Sequence, residues 1–211
     1  MFLQLLVCLL LVGTEADVYP GGWELVFRAI QGNGERVYHA WKTGSDNMKT
    51  FSEGCDKVYV HPGKHHFRSS LIDEWELLEI EQVKIELYKD NKRTTYIIFN
   101  GTDSDMLNWF HQSRILASSW SDLTVGATYN KFSIEGHAPR RFFINEQYGG
   151  CPNDFGWLTI LDPATKKHPC NWDTQDSYPA FLYAPTDTKV KWHLGEYSLA
   201  DIMAVYIKYN N

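Results

Sequence analysis

The stretch that decides the fold is Val83-Lys84-Ile85-Glu86-Leu87-Tyr88, joined through Lys89-Asp90-Asn91-Lys92-Arg93 to Thr94-Thr95-Tyr96-Ile97-Ile98-Phe99. In its first half Val83, Ile85 and Leu87 alternate with Lys84 and Glu86, the period of a half-buried strand. The polar link has turn composition, and the second half is β-branched and aromatic, so the whole reads as a hairpin. Working outward, Trp23-Glu24-Leu25-Val26-Phe27-Arg28-Ala29, Arg141-Phe142-Phe143-Ile144 and Trp157-Leu158-Thr159-Ile160-Leu161 are further short apolar runs bounded by Gly, Asn, Asp or Pro. At the C-terminal end Met203, Val205 and Ile207 alternate, and Val205-Tyr206-Ile207 predicts a strand there. One short helix is expected over 106–112, capped by Ser104 or Asp105. The fold class is mainly β with minor helix, of β-sandwich or jelly-roll-like architecture.

The composition agrees with a folded domain. Of 211 residues 44% are hydrophobic and 22% charged, with a net charge of −6; that apolar content excludes a disordered chain. No repeat, low-complexity tract or Pro/Ser-rich linker divides the sequence. Nucleic acid is not an expected partner, because phosphate binding draws on clustered Lys and Arg and no basic block is present. Residues 2–12 are an apolar run, followed by Gly13-Thr14-Glu15-Ala16 with small residues where a signal peptidase reads. This predicts a secretory signal over 1–16, cut after Ala16, and a single secreted β-rich domain over 17–211, with no membrane span because spanning needs ~20 apolar residues.

Removal of the signal takes Cys8 and leaves Cys55, Cys151 and Cys170. Cys151 and Cys170 enclose a short loop beside Gly149-Gly150, Pro152 and Pro169, and a disulfide between them is worth ~3 kcal/mol. Cys55 is left as a buried thiol, an intermolecular link in a disulfide-bonded dimer, or the true partner of one of the others. Asp56 beside it disfavours the thiolate that catalysis would need.

Asn100-Gly101-Thr102 is the single N-x-[ST] sequon and is expected to be glycosylated. His61-Pro62-Gly63-Lys64-His65-His66 gathers imidazoles, but no Cys or carboxylate stands at ligand spacing, so no metal is assigned. Asp103-Ser104-Asp105 offers oxygen ligands for Ca²⁺, although helix capping explains the same residues and no cofactor is otherwise implied. The acids Asp73, Glu74, Glu76, Glu79 and Glu81, interleaved with Trp75, Leu77, Leu78 and Ile80, read as the wet face of an edge element rather than a catalytic pair.

The aromatic side chains, 8 Trp, 12 Tyr and 11 Phe, are numerous enough to form a ligand surface as well as a core. Trp41, Trp109, Trp120, Trp157, Trp172 and Trp192 lie near polar residues in sequence, as aromatic platforms for sugar rings do. Arg140-Arg141, after Gly136-His137-Ala138-Pro139, suggests either an anion contact or surface ion pairs. The ligand-binding candidates are Trp109, Arg141, Trp157 and Trp172.

Two resemblances follow from quoted motifs. Gly21-Gly22-Trp23 with Arg28 and Tyr38-x-x-Trp41, and Tyr197-Ser198-Leu199 with Met203 and Ile207, resemble the two ends of a fibrinogen-like C-terminal domain, which implies sugar- or acetyl-group binding. Val26-Phe27-Arg28-Ala29 then Gly32-Asn33-Gly34, Asn108-Trp109-Phe110, Arg141-Phe142-Phe143-Ile144-Asn145 and Tyr148-Gly149-Gly150-Cys151-Pro152 are similar to a group of secreted invertebrate single-domain proteins. That resemblance implies secretion and one domain, and carries no mechanism.

Two functional classes follow. One is a secreted glycoprotein recognising an extracellular ligand such as carbohydrate, in a lectin-like or matrix role. The other is a secreted enzyme without a local motif, either a hydrolase using scattered carboxylates or a cofactor-independent oxygenase such as a luciferase, acting on a small apolar substrate in an aromatic-lined pocket. A cavity gathering His and Arg beside several aromatics favours the enzyme; buried tryptophans with no common cavity favour a structural role.

Overall fold

Asp90 and Asn91 both adopt positive φ, 49° and 58°, the backbone of a two-residue type I′ hairpin and one that Asp and Asn tolerate better than other side-chain-bearing residues. The expected hairpin therefore forms with its link trimmed to two residues. The computed structural model describes residues 21–44, 58, 65–163 and 170–209; the signal over 1–16, Cys55 and residues 61–64 of the histidine run lie outside them. In chain order the strands are β1 (Glu24–Ile30), β2 (Phe67–Arg68), β3 (Ile80–Lys89), β4 (Lys92–Asn100), β5 (Ile115–Ser118), β6 (Lys131–Ser133), β7 (Arg140–Tyr148), β8 (Asp154–Leu161), β9 (Ala180–Tyr183), β10 (Val190–Lys191), β11 (Ser198–Ala200) and β12 (Ile202–Tyr209).

They form two antiparallel sheets of six strands. One has the order β2-β1-β12-β3-β4-β5; the other runs β11-β9-β8-β7-β6, with β10 pairing along β8 beyond β9. The chain leaves the first sheet after β5 and returns only with β12, which inserts between β1 and β3. Val83, Ile85, Leu87, Ile97, Phe99, Met203 and Val205 from the first sheet share one buried cluster with Phe142, Ile144, Leu158 and Ile160 from the second. The architecture is β-sandwich-like, the first of the two forms expected from the sequence.

The alternation in β3 carries more than a wet outer face. Glu86 is only 4% exposed, because Lys84 and Arg93 each reach it at 3.0 Å and Tyr88 donates its hydroxyl to it. Lys84 in turn lies 4.5 Å from the Trp23 ring and 4.7 Å from that of Tyr206. The outer face is thus a second buried cluster of Leu25, Val58, Tyr88, Ile202, Ala204 and Tyr206, where a charge is tolerated because it is paired.

Helical structure departs from expectation. Residues 106–112 do not form a helix: Asp105 accepts from the backbone N–H of Leu107 and Asn108, both at 2.7 Å, and caps a turn that goes no further. Asn108 binds the Asp105 carboxylate through its own side chain at 2.7 Å, closing the turn locally. The acidic stretch lies on a 3₁₀ run, Ser70–Leu77, where Ile72 and Trp75 bury at the three-residue spacing of that helix and Asp73, Glu74 and Glu76 face solvent. The α-helix α1 (Val37–Thr43) has no side-chain cap of its own. Its N–H groups at Val37 and Tyr38 are taken by Asp162, just past β8, at 2.7 and 3.2 Å. A carboxylate following one sheet thereby caps the helix that follows the first strand of the other.

His66 plays a comparable bridging part between β1 and β2. Its Nδ1 accepts from the Ile30 N–H and from Asn33 Nδ2, both at 3.1 Å, which makes Nε2 the protonated nitrogen and places it 3.2 Å from the Glu35 carbonyl oxygen. The ring is 2% exposed, and burial holds its pKa at about 4 against the opposing pull of Glu35, with the neighbouring Arg28 also disfavouring a charge on the ring. Between pH 6.5 and 4 the unfolded chain binds a proton that the folded ring refuses, so this stabilisation is complete above pH 6.5 and fades as the pH falls. The difference in unfolding free energy between wild type and H66Q, measured by urea denaturation, should shrink by about 3 kcal/mol from pH 7 to pH 4. A difference constant with pH would contradict the neutral, buried ring.

Candidate functional site

The β6–β7 hairpin returns through a turn that needs glycine. At Gly136 φ is 65°, and a Cβ there would lie 1.9 Å from the Arg140 carbonyl oxygen, so no side chain fits without opening the turn. His137 and Arg140 exchange both backbone hydrogen bonds at 3.0 Å, and Arg140 starts β7. The ladder with β8 then slips: Arg141 faces Ile160, but the next pair is Ile144 with Leu158. The additional residue is absorbed at Phe142, which is buried and held at φ 41°. This bulge changes which residues share a face. Strict alternation puts Arg140 opposite Phe143 and Asn145; here Arg140 lies 5.4 Å from the Phe143 ring, and Arg140 and Asn145 bind the same carboxylate.

Arg140 is 3% exposed and is fully engaged on one side. Its Nε and Nη2 donate to the two oxygens of Asp173, each at 2.9 Å, its Nη1 to Asp154 at 3.0 Å, and its Nη2 also to Cys170 Sγ at 3.3 Å. The guanidinium stacks 4.1 Å from the Trp172 ring, which in turn stacks on Trp192 at 5.3 Å. Asp173 caps the turn Asn171–Asp173 by accepting from the Cys170 N–H at 3.0 Å. The expected Cys151–Cys170 disulfide is present, with the two Cα atoms 5.5 Å apart, and anchors this turn beside β7. Asn145 completes the network: its amide donates to Asp154 at 2.7 Å, and its oxygen accepts from Trp192 Nε1 at 2.9 Å. Burial pushes the Asp154 carboxyl up to about 6; Arg140 and Asn145 oppose the rise and the nearby Asp173 charge adds to it.

In front of this network is a cavity of about 360 Å³ lined by Asn130, Lys131, His137, Arg140, Phe143 and Tyr148. All six belong to the β6–β7 hairpin or the residue preceding it. Asn130, His137 and Tyr148 are exposed, so the cavity opens to solvent, whereas Phe143 and Arg140 form its floor.

The four ligand candidates from the sequence are not gathered there. Trp109 is fully buried, stacked on Trp75 at 6.0 Å and packed on Phe99 at 5.4 Å. Trp157 is buried and donates to Asp122 at 2.6 Å. Arg141 pairs with Asp162 at 3.5 Å, donates to the Glu135 carbonyl and covers the Tyr38 ring, bracing the α1 cap. Trp172 alone adjoins the cavity, through Arg140. Both arginines are in ion pairs, but not the surface pairs that the sequence suggested: Arg140 and its two carboxylates are buried, Arg141 meets a buried Asp162, and it is Arg140 that reaches the cavity. Lys131, His137, Phe143 and Tyr148 were not singled out by sequence.

Metal ligands are not assembled: among the described residues no three His, Cys, Asp or Glu side chains form a group able to hold an ion. Asp105 caps its turn, while Ser104 donates to the Gly101 carbonyl and accepts from Trp75 Nε1. Asn100 is exposed at the end of β4. No helix among the described residues is long and apolar enough to cross a membrane. Comparison with protein-family models, curated proteins and solved structures finds no match, so the two sequence resemblances rest on their motifs and the site is interpreted from its own geometry.

Removing Arg140 leaves two buried carboxylates facing each other. R140M should lose about 3–5 kcal/mol of unfolding free energy at pH 7.5, since breaking a buried pair strands its partners. The loss should diminish as the pH falls from 7.5 to 5, because without Arg140 to oppose it the buried Asp154 carboxyl takes up a proton more readily than in the wild type; calorimetric melting across that range checks both parts.

Proposed function

We propose that the protein is a secreted glycoprotein that recognises an extracellular carbohydrate in the β6–β7 cavity without chemical turnover. The observation that carries this reading is the pairing of one exposed aromatic ring, Tyr148, above the buried Phe143 of the floor, with the polar groups of Asn130, Lys131 and His137 around a solvent-open space of about 360 Å³. That volume is near the lower end of ~300–1,000 Å³ for ligand pockets and suits a sugar unit. Aromatic faces take the C–H surface of a sugar ring, and the polar rim takes its hydroxyls.

Secretion is supported by the Cys151–Cys170 disulfide, a bond that persists mainly in oxidising compartments. Glycosylation is supported by the exposure of Asn100 next to a turn. A disulfide-linked dimer through Cys55 remains a separate proposal, tested by non-reducing electrophoresis of a C55S variant.

A second reading, an enzyme acting on the ligand of the same cavity, is favoured by the meeting of His137 and Arg140 beside two aromatic rings. Two features weigh towards binding. The carboxylates nearest the cavity floor, Asp154 and Asp173, are fully buried and committed to Arg140. Among the described residues the cavity lining includes no Ser, Thr, Cys, Asp or Glu to serve as nucleophile or carboxylate base.

Tyr148 is 49% exposed, so its ring can be removed with little effect on the core. On a glycan array the wild type should bind saturably and Y148A at least tenfold more weakly, with unchanged melting temperature. An array without any bound glycan overturns the recognition reading. Conversion of a bound glycan to product by wild type but not by H137Q would replace binding with catalysis.

A further inference from the structure

Resting on the recognition reading, we infer that the ligand is an anionic sugar, a single ring carrying a carboxylate or sulfate, and that Lys131 is the residue that reads its charge.

Arg140 supplies less positive charge than its position suggests. Two carboxylates take four of its five N–H groups together with Cys170 Sγ, so its charge is already more than matched behind the cavity floor. Lys131 has no such partner. Lys84, Lys189 and Lys208 each reach a carboxylate within 3.3 Å; Lys131, like Lys42, Lys92 and Lys191, has no ion pair among the described residues, and of these four it is the one that lines the cavity. An ammonium with no carboxylate partner gains a charge-assisted hydrogen bond from a ligand that brings the opposite charge.

The remaining polar groups also suit acceptors. Asn130 turns its side-chain oxygen toward Asn145, accepting at 3.2 Å, which leaves its amide N–H groups to donate. His137 makes no ion pair among the described residues, and none of the six described lining residues is acidic. In a chain of net charge −6, this cavity therefore presents one uncompensated cation, Lys131, beside hydrogen-bond donors and an exposed aromatic ring. A neutral sugar uses the aromatic wall and part of the rim. A uronate or sugar sulfate uses these and neutralises Lys131 as well.

Isothermal titration with glucuronate, glucose 6-sulfate, glucose and inorganic sulfate tests this on the intact protein. The expected result is that both acidic sugars bind at least tenfold more tightly than glucose and inorganic sulfate. That advantage should fall in 0.5 M NaCl, disappear in K131M and survive in K131R, with melting temperatures of both variants near wild type. Were K131M to misfold, the salt dependence and the glucuronate-to-glucose ratio of the wild type would decide alone. Equal binding of glucose and glucuronate overturns the anionic inference and leaves carbohydrate recognition standing. Inorganic sulfate binding as tightly as glucose 6-sulfate overturns it by making the site one for a bare ion. No binding of any sugar here, with an empty glycan array, removes the recognition reading and this inference with it.

Discussion

The buried pairing of Arg140 with Asp154 and Asp173 is the constraint on which the second sheet and its cavity depend. A guanidinium at 3% exposure survives only where its hydrogen-bonding groups are met, and here one side chain joins the start of β7, the start of β8 and the disulfide-anchored turn at 171–173. Each partner is itself held: Asp154 by Asn145, Asp173 by the Cys170 N–H, and the guanidinium plane by Trp172. Burial, with a smaller contribution from the neighbouring Asp173 charge, outweighs the pull of Arg140 and draws a proton to Asp154 at higher pH than an ordinary carboxylate would take one. With Arg140 spent in this way, Lys131 becomes the cavity's available charge, and the function proposed for the cavity follows from a structural pair behind it.

The two sheets are tied together by a second set of polar links. Asp162 caps α1, Arg141 leans on Asp162, and Arg141 also covers Tyr38. Arg140 and Arg141 thus act in opposite directions along one strand, the first toward the cavity and the second toward the helix. The bulge at Phe142 brings Phe143 and Asn145 round to the Arg140 side while Phe142 and Ile144 enter the core. A non-glycine residue at positive φ is costly; here Phe142 packs edge-on against both Trp41, at 5.9 Å, and Phe110, at 5.7 Å, and that packing offsets it.

Much of the fold was legible because its signals are local. The β3–β4 hairpin is written in alternation plus two turn residues, the strand at β12 in three alternating apolar side chains, and the Cys151–Cys170 bridge in turn chemistry at both ends. What was not legible depended on partners distant in sequence. α1 has no cap in its own segment, since Asp162 supplies it. Residues 106–112 have a capping signal and an apolar face, yet Asn108 satisfies Asp105 within a single turn.

The cavity is a different case, because its residues are all local, within 130–148, and it still escaped reading. Counting by twos from Arg140 separates it from Phe143, and only the slip in register at Phe142 unites them. The tryptophans misdirect for the opposite reason: Trp109 and Trp157 have polar neighbours in sequence but are fully buried, with their indole N–H groups taken by Met106 and Asp122. The most direct measurement of the central claim is a heteronuclear NMR titration of the uniformly labelled protein with glucuronate. The account predicts saturating shifts confined to the amides of Asn130, Lys131, His137, Phe143 and Tyr148. Shifts centred instead on another face, such as Asp122 and Lys189, would contradict it.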